Sequence, residues 1–219
     1  RGKGLLKREH AVLSPLGYGA AFLSNVIQRK AMGAWLERVV FSSSGTLPFG
    51  TQDYPTRHLS LKPGNFMDVL QASCAIPFVL KSVHDIEGAP SGAYWDGGIT
   101  DYHLHLDWKT NASNAKQSGL VLYPHFQKSV VPGWLDKRLK WRHKATSFLD
   151  NTVVLAPNPD WVKTLPNGKL PDRQDFSTYG QDLQSRVKVW QAAVSASAQM
   201  ADEFAAWLGQ PQMSKVQDL

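Results

Sequence analysis

Two short, nearly unbroken apolar runs set the strongest limit on the fold: Gly119 to Tyr123 (GLVLY) and Thr152 to Ala156 (TVVLA). Runs of this kind suit strands buried on both faces, as in a parallel or mixed sheet flanked by helices. Glu37 to Ser43 (ERVVFSS) is a further strand candidate, rich in β-formers. His58 to Leu61 reads as a short strand, and Phe78 to Val83 and Gly92 to Trp95 as strands around a Gly/Pro turn. Helical segments lie between these runs. Residues 18–30 look helical, and Pro63 starts a helix that runs to about Cys74, since Pro suits a first helical turn. Pro77 forbids its continuation. In the last helix, Gln181 to Leu208, the residues Leu183, Val187, Trp190, Val194, Ala198, Ala201, Phe204 and Leu208 recur at steps of three and four. They form one apolar stripe that reads as core. Gly209 and Pro211 end that helix. Strands alternating with helices predict an α/β layered fold around a mostly parallel sheet.

A chain of 219 residues suits one domain or a large part of one. With 42% hydrophobic and 19% charged residues, it is not a disordered composition. One cysteine excludes an internal disulfide framework, and no Cys/His spacing resembles a structural zinc site. No apolar run reaches the length of a membrane span. The chain opens at Arg1 with no charged-then-apolar leader, and the expectation is a piece of a longer protein. The lone cysteine is compatible with a reducing compartment, so the expected location is the cytoplasm or the face of a membrane.

The net charge of +6 is unevenly spread. Between Trp134 and Lys144 stand Lys137, Arg138, Lys140, Arg142 and Lys144 against Asp136 alone, so this stretch holds four of the six net positive charges. Trp134, Leu135, Leu139 and Trp141 are interleaved with them. Read as a helix, the stretch is basic and amphipathic. It suits a solvated face whose tryptophans pack on the domain, or a contact of Trp134, Lys137, Arg138, Lys140 and Trp141 with an anionic membrane. No nucleic-acid signature accompanies the charge, and nucleic acid is not expected as a partner.

The segment richest in chemistry is Gln71 to Leu106. It contains Ala72-Ser73-Cys74-Ala75-Ile76-Pro77, a small-residue helix end broken by proline. Asp96-Gly97-Gly98 follows later, directly after the strand-like Ala93-Tyr94-Trp95. An aspartate at a strand end followed by two glycines stands where α/β sheets bind ligands, and glycines permit a tight turn and a close approach. The bland reading of Asp96 is a turn residue capping its own backbone.

In these two blocks, in this order and spacing, the chain resembles the patatin-like phospholipase family over roughly Leu36 to Asp107. The resemblance implies a patatin-like layered fold whose N-terminal part is missing, forming one partial domain over residues 1–219. It implies a lipid acyl hydrolase that cleaves fatty acyl esters, phospholipids among them, through a Ser–Asp dyad without metal or organic cofactor. Asp96 is then the catalytic aspartate, with Gly97 and Gly98 serving the turn beside it. It accepts the serine proton and later helps to activate water. A freely solvated carboxylate is a weak base, so the role needs partial burial.

The chain departs from the family pattern in two places. No glycine has serine two positions later, so the G-x-S-x-G elbow is absent, as is any run of three glycines. Ser42, Ser43 and Ser44 follow a strand and lack the first glycine of an elbow. The dyad serine and oxyanion loop are therefore expected outside this chain, or else the chain is a non-catalytic lipid-binding relative. After Gly98, Ile99-Thr100-Asp101-Tyr102-His103 stands where many relatives carry Asn and Pro. A rival reading takes His103 and His105 as an H-x-H metal grip of a metal-dependent hydrolase. Only His125 and His143 follow, and 114 residues cannot complete a (β/α)₈ barrel of about 250 residues. The simpler reading places both rings at a loop exit, solvent-facing or hydrogen-bonded. Ser73 and Cys74 read as small residues packed under the strand that bears Asp96.

Overall fold

The computed structural model describes residues 1–108 and 119–219. They form two compact units, one of residues 1–121 and 129–152, the other of residues 122–128 and 153–219.

The first unit begins with α1 (Leu13–Ile27). It starts five residues earlier than periodicity predicts. The His10 ring Nδ1 accepts from the Val12 and Leu13 amides, and Pro15 falls in the first turn, where its missing N–H costs nothing. A 3₁₀ stretch, Arg29–Ala34, leads into β1 (Arg38–Ser42), which pairs in parallel with β2 (Thr56–Ser60), Val40 opposite His58. Next comes α2 (Phe66–Ser73). Pro63 lies in the turn before it, not in its first turn. Asn65 builds that turn, its Oδ1 accepting from Lys62 N and its Nδ2 donating to the Ser60 and Glu87 carbonyls. A short α3 (Gly98–Asp101) follows the D-G-G block.

Two apolar clusters hold this unit. The larger joins Leu6, Tyr18, Ala21, Met32, Leu36, Tyr54, Ala93, Trp95 and Ile99. The smaller joins Ala72, Val83, Ile86 and Tyr94, with Val39, Phe41 and Val69 packed on it, so it sits between α2 and β1. Each such large side chain contributes about 1.5–3 kcal/mol when fully buried.

Phe78 to Val83 and Gly92 to Trp95 do not form strands. Val79 N and Leu80 N both return to the Ile76 carbonyl, and Phe78 lies at φ 67°, so the chain turns where a strand was predicted. What survives of the pairing is one antiparallel bridge, Val83 with Tyr94. The basic stretch is not one helix either. It forms two 3₁₀ turns, Trp134–Asp136 and Lys140–Arg142, on either side of the buried Leu139.

In the second unit, β3 (Val121–Pro124) pairs with β4 (Thr152–Leu155). Val121 N donates to Asn151 O and His125 N to Leu155 O, a constant offset that makes the pair parallel. The fold is thus mixed α/β, with two separate two-stranded parallel sheets in place of one sheet. The predicted burial on both faces is not found. Leu120 and Leu122 are exposed and β4 is half-buried throughout, because a two-stranded ribbon has no flanking strands to shield it.

Three helices complete this unit: α4 (Pro159–Val162), α5 (Gln174–Tyr179) and α6 (Leu183–Gly209). The Asp182 side chain caps α6 by accepting from Ser185 N. Trp190 of α6 donates from Nε1 to buried Asp175 at 2.9 Å, and Arg186 stacks on Phe176 at 4.2 Å. These contacts turn the face of Arg186, Trp190 and Ala193 inward. The predicted stripe shares Trp190 with this face and Phe204 is half-buried, but Leu183, Val187, Val194 and Leu208 are exposed. Among the described residues, no helix is long and apolar enough to cross a membrane.

Candidate active site

The two blocks singled out in the sequence meet through the backbone. Asp96 N donates to Ala75 O at 3.0 Å. α2 ends at Ser73, Cys74 N and Ala75 N turn back to the Gln71 and Ala72 carbonyls, and Pro77 prevents another turn. This brings the small-residue helix end under Asp96. Ala72 and Ala75 do the packing there. Ser73 and Cys74, predicted to be packed, are exposed, because the last turn of α2 presents them outward. The Ser73 hydroxyl donates to the Leu70 carbonyl at 2.8 Å.

Asp96 is half-buried. Its Oδ1 accepts from Gly98 N at 2.7 Å and caps α3, so the turn-capping reading describes one of its oxygens. Its Oδ2 makes no hydrogen bond with any described residue. The two glycines differ. A side chain at Gly98 would meet Asp96 Oδ1 at 2.9 Å and push the carboxylate off its hydrogen bond to Gly98 N. Gly97 is exposed, has an ordinary φ of −63° and faces open space. The turn does not require glycine at Gly97; what its missing side chain provides is unobstructed approach.

An apolar shelf adjoins the carboxylate. Trp95 packs edge-on against Tyr18 at 6.1 Å between ring centres, and Tyr18 against Phe78 at 5.3 Å. Ile76, Phe78, Val79 and Leu80 are all exposed on the loop that follows α2. Phe78 holds a left-handed backbone conformation that costs a non-glycine residue about 1–2 kcal/mol. The buried Tyr18 hydroxyl has no hydrogen-bond partner among the described residues. Burial first, and then the Asp96 charge, hold its pKa well above the ordinary tyrosine range, so it is a neutral phenol.

A buried charge network, which sequence reading missed, fixes α3. Arg38, at 5% exposure, places its guanidinium on Asp53 (2.8 Å to each oxygen) and on Asp101 (2.8 and 2.6 Å). Thr100 Oγ1 donates to Asp101 as well. Arg29 bridges Asp101 and Asp136 at 3.4 Å each, and Asn25 and Arg142 complete the shell of Asp136. Burial, the largest single influence, would raise the Asp53 pKa, but the hydrogen bonds and charge of Arg38 together with the charge of Arg29 outweigh it and hold it below the usual carboxylate value. The same two carboxylates raise the Arg38 pKa against its burial. The one available sequence signal was a charged residue at the start of an otherwise apolar strand; the partners lie 15 and 63 positions away.

No serine hydroxyl is hydrogen-bonded to Asp96 among the described residues. Ser42 Oγ accepts from Ser44 N and builds a loop after β1. The histidines of the H-x-H are both buried and serve the packing. His103 Nδ1 accepts from Val131 N at 2.9 Å, and His105 Nε2 pairs with Thr146 Oγ1 at 2.9 Å. Among the described residues, no group of three or more His, Cys, Asp or Glu is arranged to hold a metal ion. In the basic stretch, Trp134 and Leu135 lean on the larger core, and Lys137 lies 4.1 Å over the Tyr102 ring. Arg138, Lys140 and Trp141 face solvent.

No protein-family model, curated protein or solved structure matches the chain.

Proposed function

We propose that these residues supply the acid/base half of a lipid acyl hydrolase of the patatin-like type, with Asp96 as its carboxylate. The observation that carries the reading is the hydrogen bond between Asp96 N and Ala75 O, which joins the two motif blocks at one point. Three features support it. Asp96 is half-buried with one oxygen uncommitted, open space lies over Gly97, and an exposed apolar loop adjoins it. In this reading a serine hydroxyl approaches over Gly97 and attacks the ester carbonyl as its proton passes to Asp96 Oδ2. The proton then leaves with the alcohol, and Asp96 next takes a proton from the water that opens the acyl-enzyme. The apolar shelf of Ile76, Phe78, Val79 and Leu80 receives the acyl chain. The serine comes from outside these 219 residues, which contain no G-x-S-x-G.

The test is Asp96→Asn in the complete gene product, assayed on fatty acyl esters. Asparagine keeps the acceptor for Gly98 N, so the fold is retained. The expected loss of kcat is about 10²–10⁴-fold. Near-normal turnover overturns the assignment.

That no serine hydroxyl of the described residues is bonded to Asp96 favours a second reading, a non-catalytic lipid-binding module. A complete gene product that binds lipid, shows no turnover and is not labelled by a serine-reactive fluorophosphonate establishes that reading instead.

A further inference from the structure

We propose that Ser82, Glu9 and His84 form a nucleophilic serine centre within this chain, one that takes up the acyl group of a carboxylic ester. Its carboxylate is Glu9, and the inference is independent of the role of Asp96.

Three side chains from two distant segments meet at one hydroxyl. Ser82 Oγ lies 3.1 Å from Glu9 Oε2 and 2.9 Å from His84 Nε2, and Ser82 N donates to the same Glu9 oxygen at 2.9 Å. The proton inventory sets the direction of these bonds. A serine hydroxyl has one proton and an ionised carboxylate has none, so Ser82 Oγ–H donates to Glu9 and His84 Nε2–H donates to Ser82 Oγ. The hydroxyl thus has its proton on a base and its oxygen oriented by a third group, as an activated nucleophile requires.

The cluster stands on a fixed support. Val83, between Ser82 and His84, is buried and exchanges both backbone hydrogen bonds with Tyr94, at 3.1 and 2.8 Å. Side chains two positions apart share one side of an extended segment, so this pairing turns Ser82 and His84 the same way. Glu9 is paired with no cation among the described residues, so its charge serves Ser82 alone. Ser82 is half-buried and His84 exposed, which leaves the hydroxyl within reach of a substrate. Phe78, Val79 and Leu80, exposed just upstream in the chain, offer an apolar surface to an acyl chain, and an ester with an apolar acyl group is the substrate class that fits.

In the reaction, Ser82 Oγ bonds to the carbonyl carbon as its proton passes to Glu9, and the His84 Nε2–H turns to the developing oxyanion. The bond to the alkoxy oxygen then breaks, and the alcohol leaves with the proton held by Glu9. Water attacks the acyl-serine, gives its proton to Glu9, and the carboxylic acid departs as the proton returns to Ser82.

The test is labelling of the 219-residue chain with a fluorophosphonate probe, the labelled residue being mapped by mass spectrometry. The label is expected on Ser82. Ser82→Ala should lose it. Glu9→Gln, which keeps an acceptor for Ser82 N, should slow labelling about 10²-fold or more. His84→Gln, which keeps a donor, should show a smaller loss, and Ser73→Ala should label like the parent. Circular dichroism melts that match the parent certify the fold of each variant, and mapping on the parent needs no variant. No label on the folded chain, a label on another residue, or undiminished labelling of Glu9→Gln overturns the proposal. The serine required for the Asp96 reading lies outside these 219 residues, so the experiment reports on Ser82 alone and its failure leaves that reading standing.

Discussion

The two units of this chain are held by different means. The first has two apolar clusters and a buried guanidinium on β1 that gathers carboxylates from the following loop and from α3. In the second, Leu165, Ala193 and Asp175 are the buried side chains of residues 153–219. A single long helix, capped by Asp182 and steadied by the Trp190–Asp175 hydrogen bond, organises the rest. The first unit is therefore specified by contacts between residues far apart in sequence, the second by local helix formation with a few anchoring rings. The Asp96 turn sits on the first kind of support, where a carboxylate and its surroundings are held in fixed geometry.

The largest expected break in this contrast comes from Arg38→Met. It leaves Asp53 and Asp101 buried without their cation, and loss of one partner of a buried pair costs about 3–5 kcal/mol. Thermal unfolding should show the first unit melting earlier, while the α6 helical signal keeps its own transition. The pH dependence has a definite sign. The Asp53 pKa is lowered in the folded chain, so its contribution is present above the unfolded carboxylate value of about 3.9. It is lost as pH falls through the folded value. In Arg38→Met this acid limb should reverse, since burial without Arg38 raises the Asp53 pKa and stability is then lost as pH rises. A variant that melts like the parent at pH 7 would show that the network does not hold α3.

A smaller effect is expected at His105, which is buried on Thr146. Burial first, and then the positive charge of Arg29, hold its pKa below the ordinary histidine value of about 6.5. Below that pH the unfolded chain binds the proton that the folded chain resists, so stability falls with falling pH; above it the group contributes no slope. His105→Gln should remove the part of the slope between pH 7 and 5 that arises here. Denaturant midpoints measured across that range decide it, and an unchanged slope would mean that His105 is protonated in place.

The parts of this molecule legible in sequence were those fixed locally. β1, β2, α2, β3, β4 and α6 lie within a few residues of the segments that period and β-propensity mark out. The meeting of the helix end at Ala75 with Asp96 follows from the breaking proline and from the backbone pairing of the two blocks. What escaped is non-local. The Arg38 network joins positions that no spacing rule connects, and the loop after Pro77 turns because of one left-handed phenylalanine. The basic stretch broke into two turns because Asp136 is pulled into a cluster with Asn25, Arg29 and Arg142. Periodicity found α6 but only part of its buried face, since steps of three and four fit two neighbouring stripes of this alanine-rich helix. The inward one is chosen by Arg186 on Phe176 and by Trp190 on Asp175.

That choice of face makes the smallest and most discriminating prediction. Val194 belongs to the periodic stripe yet is 71% exposed, whereas its neighbour Ala193 is buried. Val194→Lys should change stability by no more than about 0.5 kcal/mol, as surface substitutions do. Ala193→Leu should cost about 1–3 kcal/mol, because extra methylenes enter a filled site. Helix propensity cannot produce the difference, since lysine and leucine are both good helix formers. If Val194→Lys proves the more damaging of the two, the exposed stripe is covered in solution. Its cost should then fall on dilution if a second copy of the chain is the cover. If the costs rank as expected, two adjacent residues on one helix report the rotation that the sequence pattern could not fix, and the second unit is as thinly supported as its few buried side chains imply.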